Sequence, residues 1–172
     1  MAESLYIFRL KNKNMRILIL GLLLTVCHFA QAQKERDTTL KRCPVFITDT
    51  VSNNNFFLEF QPCILHVDRN RGDLTVVLQQ RDQFFSILFH EKKLDAQKYK
   101  ILVGSHKNND VEAKYSFKSG DQVSYVNVRS GVVEATFDKE KDMWHLKVTG
   151  MIANLVERSV TYYKVRAEFW FP

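Results

Sequence analysis

The chain has 172 residues, of which 25 are basic and 19 acidic, so its net charge is +6. Hydrophobic residues make up 45% of the sequence, which is enough for a buried core and excludes an intrinsically disordered chain. Residues 1–32 hold four of the basic residues and one acidic residue, so without them the net charge falls to about +3. Because the remaining charges are mixed in sign along the chain, we expect no nucleic-acid partner.

Residues 1–32 have the pattern of a secretory signal peptide. Basic residues up to Arg16 precede an apolar segment, Ile17–Val26, and Ala30-Gln31-Ala32 places small residues at the two positions that a signal peptidase reads. The apolar segment is shorter than the roughly 20 residues that span a bilayer as a helix. We therefore expect cleavage between Ala32 and Gln33, export, and contact with the membrane only through the signal segment.

Three alternatives remain open for this segment. The first is an N-terminal anchor that is not cleaved. The second is lipid attachment at Cys27, although Val26 before it is not the small residue that such attachment favours. The third is a start at Met15 instead of Met1.

The remaining chain divides into a flexible polar leader, residues 33–42, and a single domain, residues 43–172. Two cysteines remain in it, Cys43 and Cys63. In an oxidising compartment an even number of cysteines favours a structural disulfide. Closing this loop of roughly 20 residues would stabilise the fold by about 3 kcal/mol in the chain-entropy description. The alternative is a pair of buried free thiols in adjacent strands.

The domain is predicted to consist of short β-strands separated by turn residues. Apolar and polar residues alternate most clearly in Val111–Phe117, whose odd-numbered residues share one face. No long stretch keeps a helical period. The expected strands, in chain order, are Val45–Val51, Phe56–Phe60, Ile64–Val67, Leu74–Gln80, Phe84–His90, Tyr99–Val103, Val111–Phe117, Gln122–Val128, Val132–Phe137, Met143–Ile152 and Val160–Phe171.

This pattern predicts an all-β fold, with an antiparallel β-sandwich of about 8–11 short strands as the expected architecture. The alternative is a closed, lipocalin-like barrel. The two differ in whether the first and last strands pair, which the sequence does not decide.

Four segments carry a resemblance to a known group of proteins. Lys93–Ile101 is similar to a linker followed by a short strand, and Ser130–Asp138 followed by Trp144–Gly150 resembles a characteristic hairpin. Tyr163–Phe171 is similar to a closing strand. Together they resemble exported β-sandwich domains of unknown function from the envelope of gram-negative gut bacteria.

The resemblance covers residues 74–171 and has two departures. Gln97 stands where the group has a glycine or another small residue, and Ala167 stands at a late glycine position. The resemblance implies a β-sandwich and a cell-envelope location, and it implies no activity.

No pattern in the sequence predicts a catalytic or metal site. His66 and Asp68 lie two residues apart and so share one face of a strand, but two side chains do not make a metal site. We interpret them as surface polar residues. Sequence motifs of hydrolases, phosphate-binding loops and dinucleotide-binding turns are absent. We therefore expect no enzyme activity, no metal and no cofactor.

Two functional hypotheses remain, and no binding residue is assigned in either. The first is a binding or interaction module with an envelope protein or a glycan as partner, in the periplasm or at the cell surface of a gram-negative bacterium. The second is a small carrier with an internal pocket for an apolar ligand. The first is supported by aromatic residues expected on strand faces: Phe84, Phe85, Tyr125, Trp144, Tyr162 and Trp170.

A hydrolase and an outer-membrane barrel are less favoured. A hydrolase site assembles in space, so the absence of a motif does not exclude it. The last predicted strand, Val160–Phe171, is rich in aromatic residues, as in membrane barrels. Most other predicted strands are shorter than the 9–11 residues that span a membrane.

Overall fold

The computed structural model describes residues 36–70, 72–156 and 159–172, which all belong to one compact unit, Glu35–Pro172. The predicted signal peptide, its cleavage site between Ala32 and Gln33, and Cys27 lie outside the described residues. The described residues form strands, turns and loops, and no helix.

Ten strands make up most of this unit and confirm the all-β prediction. Their number falls within the expected range. They are β1 (Arg36–Leu40), β2 (Val45–Asp49), β3 (Cys63–Asn70), β4 (Asp73–Gln80), β5 (Gln83–Phe89), β6 (Lys98–Ile101), β7 (Asp110–Ser119), β8 (Gln122–Asp138), β9 (Met143–Val156) and β10 (Ser159–Phe171).

All ten strands join one hydrogen-bonded sheet, in the order β1-β3-β4-β5-β7-β6-β8-β9-β10-β2. Neighbouring strands are antiparallel, as predicted, except for β6 and β7, which pair in parallel over two residue positions. Beyond the short β6, strand β7 also pairs directly with β8. The two ends of the sheet are β1 and β2, which follow one another in the chain.

This strand order requires a strongly curled sheet. At roughly 4.8 Å per strand spacing, a flat sheet would hold its two end strands about 43 Å apart. The chain from Leu40 to Val45 spans at most about 18 Å. The sheet therefore bends until β1 and β2 approach one another. All strands lie in a single sheet, as in the barrel alternative, but β1 and β2 do not pair with each other among the described residues.

Alternate residues of the strands build the apolar core. In β7, Val111, Ala113 and Tyr115 are buried, as their alternation predicts, while Phe117 at the end of the strand is 39% exposed. The last strand, β10, also buries alternate residues, Val165, Ala167, Phe169 and Phe171. One side of the curled sheet therefore faces the core, and the other faces solvent.

Residues 50–62 connect β2 to β3 and cross the gap between the two ends of the sheet; we call them the bridging loop. The Phe56 amide donates to the Ile47 carbonyl at 3.1 Å, which covers the free edge of β2. On the other side, the buried carboxamide of Gln80 in β4 accepts from the Leu58 amide at 2.9 Å and donates to the Leu58 carbonyl at 3.0 Å. The bridging loop thus ties β2 to β4.

The structure differs from the predicted elements in three places. Phe56–Phe60, expected as a strand, belongs to the bridging loop. Arg36–Leu40, expected within a flexible leader, is an edge strand because its backbone pairs with β3. The predicted strands Gln122–Val128 and Val132–Phe137 are parts of one strand, β8, with an irregularity in its register where the turn was expected.

Candidate functional site

A cavity of about 330 Å³ opens where β7 ends and β8 and β10 begin. We call it the aromatic cavity. Strands β2, β7, β8, β9 and β10 contribute to it, together with the bridging loop. Its lining residues are Ile47, Phe56, Tyr115, Phe117, Val126, Ile152, Asn154 and Tyr163.

Three aromatic rings form one wall of the aromatic cavity. Phe56 stacks on Tyr115 with ring centroids 5.5 Å apart and an angle of 24° between the planes, and its centroid lies 5.3 Å from that of Tyr163. Such ring pairs contribute roughly 0.5–1.5 kcal/mol beyond the burial of their surface. Tyr115 and Tyr163 come from strands that are not neighbours in the sheet. The curl of the sheet and the bridging loop therefore create this wall.

The chemistry of the aromatic cavity suits an uncharged ligand. Among the described residues that line it, none has a charged side chain. Burial raises the pKa of the Tyr115 hydroxyl, which therefore stays neutral at physiological pH. The Asn154 carboxamide also lines the cavity and makes no hydrogen bond with another described residue, so it is available to orient a polar group of a ligand.

A larger depression, of about 420 Å³, lies on the outer side of the sheet. Its lining includes the exposed residues Lys147, Thr149, Arg166 and Glu168. These are outward-facing residues of β9 and β10 with mixed charges, as expected for the solvent face of a sheet. The aromatic cavity, with its apolar lining, is therefore the better candidate for a ligand site.

His66 and Asp68 share the outward face of β3, as predicted, but His66 bonds other residues. Nδ1 of His66 lies 2.6 Å from Oδ1 of Asp37 in β1, and its Nε2 lies 3.0 Å from Oε1 of Gln79. Asp68 is exposed. Within the described part of the chain, no group of three or more His, Cys, Asp or Glu residues is placed to hold a metal ion.

Cys43 and Cys63 are both buried and both free thiols, so the predicted disulfide is not formed in this structure. The arrangement corresponds to the alternative of two buried thiols. The neighbouring Cys43 thiol and burial raise the pKa of Cys63, which keeps Cys63 protonated and poorly nucleophilic. A disulfide between the two stays a prediction.

The six aromatic residues expected to take part in binding are scattered over the fold. Phe85 is fully buried, whereas Tyr125 is 65% exposed and Tyr162 is 50% exposed. Phe84, Trp144 and Trp170 are partly buried. None of the six lines the aromatic cavity.

Two signals in the sequence pointed towards the aromatic cavity without identifying it. The alternation of β7 and β10 places Tyr115 and Tyr163 on inward faces, but it does not show that the two faces meet. Phe56 was assigned to a strand, because the run of residues around it is rich in phenylalanine. Only the tertiary structure, through the strand order and the course of the bridging loop, shows that the Phe56 ring contacts the other two.

A buried tyrosine anchors the loop that follows β5. The Tyr99 hydroxyl donates to the Glu91 carboxylate at 2.5 Å and accepts from the Asp95 amide at 2.9 Å. Its ring packs edge-on against Phe89, with centroids 5.1 Å apart. Burial, followed by the hydrogen bond to Glu91, raises the pKa of Tyr99 to about 12.

We expect this pKa to appear as a loss of stability at high pH. The folded-state pKa of about 12 lies above the ordinary value of 10.0, so the contribution of neutral Tyr99 is complete below pH 10.0 and is lost as the pH rises through about 12. Urea unfolding at a series of pH values between 10.0 and about 12 measures this loss of stability. In Tyr99→Phe the free energy of unfolding should decline less over the same range, and an equal decline in both proteins would contradict the assignment.

Comparisons with known protein families, with curated proteins and with solved structures find no match to this chain. Among the described residues, no helix is long and apolar enough to cross a membrane. The function is therefore inferred from the geometry and chemistry of the cavities themselves.

Proposed function

We propose that this protein is a non-enzymatic binding protein that holds a small, uncharged and largely apolar ligand in the aromatic cavity. The observation that carries this proposal is the convergence of Phe56, Tyr115 and Tyr163 around a space of about 330 Å³. Small-molecule sites are typically apolar clefts of roughly 300–1,000 Å³ with a few polar groups that orient the ligand. The Asn154 carboxamide supplies such a group.

The expected affinity is modest. Burying about 200 Å² of apolar ligand surface at about 25 cal/mol per Å² gives about 5 kcal/mol before the costs of association. Because about 5 kcal/mol alone would give a dissociation constant of about 0.2 mM, the costs of association bring the expected value towards millimolar. A ligand with a ring gains further from contact with Phe56 and Tyr115, because tilted and stacked ring pairs are favourable.

We also propose that the protein works outside the cytoplasm, in the periplasm or at the cell surface of a gram-negative bacterium. The support is the signal-peptide pattern of residues 1–32, with an apolar segment followed by small residues before Gln33. A small apolar molecule carried through an aqueous compartment needs a protected site, which the aromatic cavity offers.

Binding of N-phenyl-1-naphthylamine, an uncharged fluorescent ring compound, tests the proposal. Fluorescence should rise on addition to the purified protein and saturate. Phe56→Ala should weaken binding about 10-fold, or about 1.4 kcal/mol, because it removes the ring that contacts both tyrosines. Native mass spectrometry of the purified protein additionally shows whether a small molecule stays bound.

Phe60→Ala is the matched control, because Phe60 lies on the same bridging loop, is 76% exposed and does not line the aromatic cavity. It should leave the affinity unchanged. Thermal unfolding of both variants checks that the fold is intact. Absence of saturable binding, or an equal loss in both variants, would overturn the proposal.

A further inference from the structure

A second cavity, of about 320 Å³, lies at the opposite ends of strands β8 and β9 from the aromatic cavity. Phe137 near the end of β8 and Trp144 near the start of β9 line it, whereas Val126 and Asn154 of the aromatic cavity lie near the opposite ends of these strands. We call this second cavity the basic pocket. Its lining residues are Arg69, Lys92, Lys93, Leu94, Phe137 and Trp144.

The described lining of the basic pocket carries positive charge and no acid. Arg69, Lys92 and Lys93 are all basic, and none of the described lining residues is an aspartate or a glutamate. None of the three forms an ion pair with another described residue. By contrast, Lys98 has a carboxylate partner, Glu134, at 2.7 Å. An anion that enters the basic pocket therefore meets three cations among the described lining residues.

Two aromatic rings give the basic pocket an apolar wall. Phe137 and Trp144 are paired across β8 and β9, and their ring centroids are 5.2 Å apart at an angle of 55°. Phe137 is 39% exposed, so part of its ring remains open to a ligand. Leu94, which is 7% exposed, adds a buried apolar side chain beside them.

Hydrogen bonds to the Tyr99 hydroxyl and the burial of Leu94 hold the loop that carries the two lysines. Tyr99 bonds both Glu91 and Asp95, the residues that flank the segment containing Lys92 and Lys93. Between the lysines and Asp95, Leu94 is buried in the core. The lysine backbone is therefore fixed before a ligand arrives, which reduces the ordering cost of binding.

We propose that the basic pocket binds an organic anion that carries a flat ring, an aromatic carboxylate. The ring lies against Trp144 and Phe137, and the carboxylate is paired with the Arg69 guanidinium and the two lysine ammonium groups. Arginine pairs well with carboxylates through parallel hydrogen bonds, and aromatic rings pack favourably on one another. The ligand is charged, so it differs from the uncharged ligand proposed for the aromatic cavity, and this inference does not depend on that one.

Isothermal titration calorimetry with 2-naphthoate as the probe tests the proposal. We expect saturable binding that weakens as salt is added, because added ions screen exposed charges. In the Phe56→Ala protein, in which the aromatic cavity lacks one wall, the neutral analogue 2-naphthalenemethanol should bind at least about 10-fold more weakly than naphthoate, a difference of about 1.4 kcal/mol. Acetate, which has the charge without the ring, should show no detectable binding.

Variants locate the site. Arg69→Gln combined with Lys92→Gln should weaken naphthoate binding at least about 10-fold, or about 1.4 kcal/mol. Lys100→Gln is the matched control, since Lys100 is exposed on β6 and does not line the basic pocket. Phe56→Ala should leave the naphthoate affinity unchanged, because Phe56 lines the aromatic cavity and not the basic pocket.

Three results would overturn the proposal. One is no saturable binding of naphthoate, and another is equal binding of its neutral analogue in the Phe56→Ala protein. The third is a loss of affinity in Phe56→Ala or Lys100→Gln as large as that in the variant of Arg69 and Lys92. Phe56→Ala should weaken binding in the aromatic cavity and leave binding in the basic pocket unchanged. Failure of this proposal is therefore distinguishable from failure of the proposed function.

Discussion

Gly131→Ala should lower the free energy of unfolding by about 3 kcal/mol, the largest effect we expect from a single methyl group in this protein. Gly131 in β8 pairs with Gly150 in β9 and has a φ of +152°, a backbone conformation that residues with a side chain rarely adopt. A Cβ there would lie 2.6 Å from the Gly150 Cα and 3.0 Å from Cδ1 of Ile101. Because the first of these contacts is with backbone, the two strands would have to separate.

Gly104→Ala is the matched control for this experiment. Gly104 also has a positive φ, of +72°, but an added Cβ would meet no atom within 4 Å. Gly104→Ala should therefore lower the free energy of unfolding by only about 1 kcal/mol, the cost of placing a residue with a side chain at a positive φ. Urea unfolding of both variants measures the difference. An equal loss in the two would show that the close approach of β8 and β9 does not matter.

Gln80→Leu is expected to destabilise the protein by about 2 kcal/mol. Gln80 is 5% exposed, and its carboxamide bonds the Leu58 amide at 2.9 Å, the Leu58 carbonyl at 3.0 Å and the Gln61 carbonyl at 3.4 Å. Leucine has a similar size but leaves the Leu58 amide without its hydrogen-bond partner, whereas the Leu58 and Gln61 carbonyls still accept from the Gln61 and Cys43 amides. Since the bridging loop also carries Phe56, binding of N-phenyl-1-naphthylamine should weaken in the same variant.

Gln122→Leu makes the same substitution at an exposed position next to the turn between β7 and β8. It should change the free energy of unfolding by no more than about 0.5 kcal/mol. Unfolding by urea, followed by near-ultraviolet circular dichroism, compares the two proteins. If Gln80→Leu were as stable as Gln122→Leu, the bridging loop would not need its bonds to β4.

The strands that alternate most regularly were predicted best. Val111–Phe117 lies within β7, where Val111, Ala113 and Tyr115 are buried on one face, and Val160–Phe171 corresponds closely to β10. Alternation is a local property, because successive side chains of a strand point to opposite faces. It needs no knowledge of the rest of the chain.

The predictions failed where pairing with a distant segment decides the structure. Arg36–Leu40 is mostly polar, its residues Asp37, Thr38 and Thr39 are exposed, and it is a strand only because β3 lies beside it. The segment at Ser130-Gly131 reads as a turn, but its pairing with β9 continues the strand through an irregularity. Glycine favours both outcomes, so the local sequence does not separate them.

The two cavities show the same limit. The sequence contains the aromatic and basic residues of both, but Phe56, Tyr115 and Tyr163 are far apart in the chain and lie on three different segments. Likewise, Arg69 comes from β3 and Trp144 from β9. Their approach depends on strand order and curl, which follow from long-range contacts.

By itself, the sequence determined the all-β class, the buried face of the most regular strands and the lack of any recognisable catalytic motif, because these depend on residue type and on the spacing of near neighbours. The tertiary structure alone decided that the strands form one curled sheet, that the bridging loop ties β2 to β4, and that a neutral and a positively charged cavity lie at opposite ends of β8 and β9. The physical reason is that backbone hydrogen bonds between strands do not depend on which side chains they carry. Partner choice is therefore set by the packing of the whole core rather than by any local pattern.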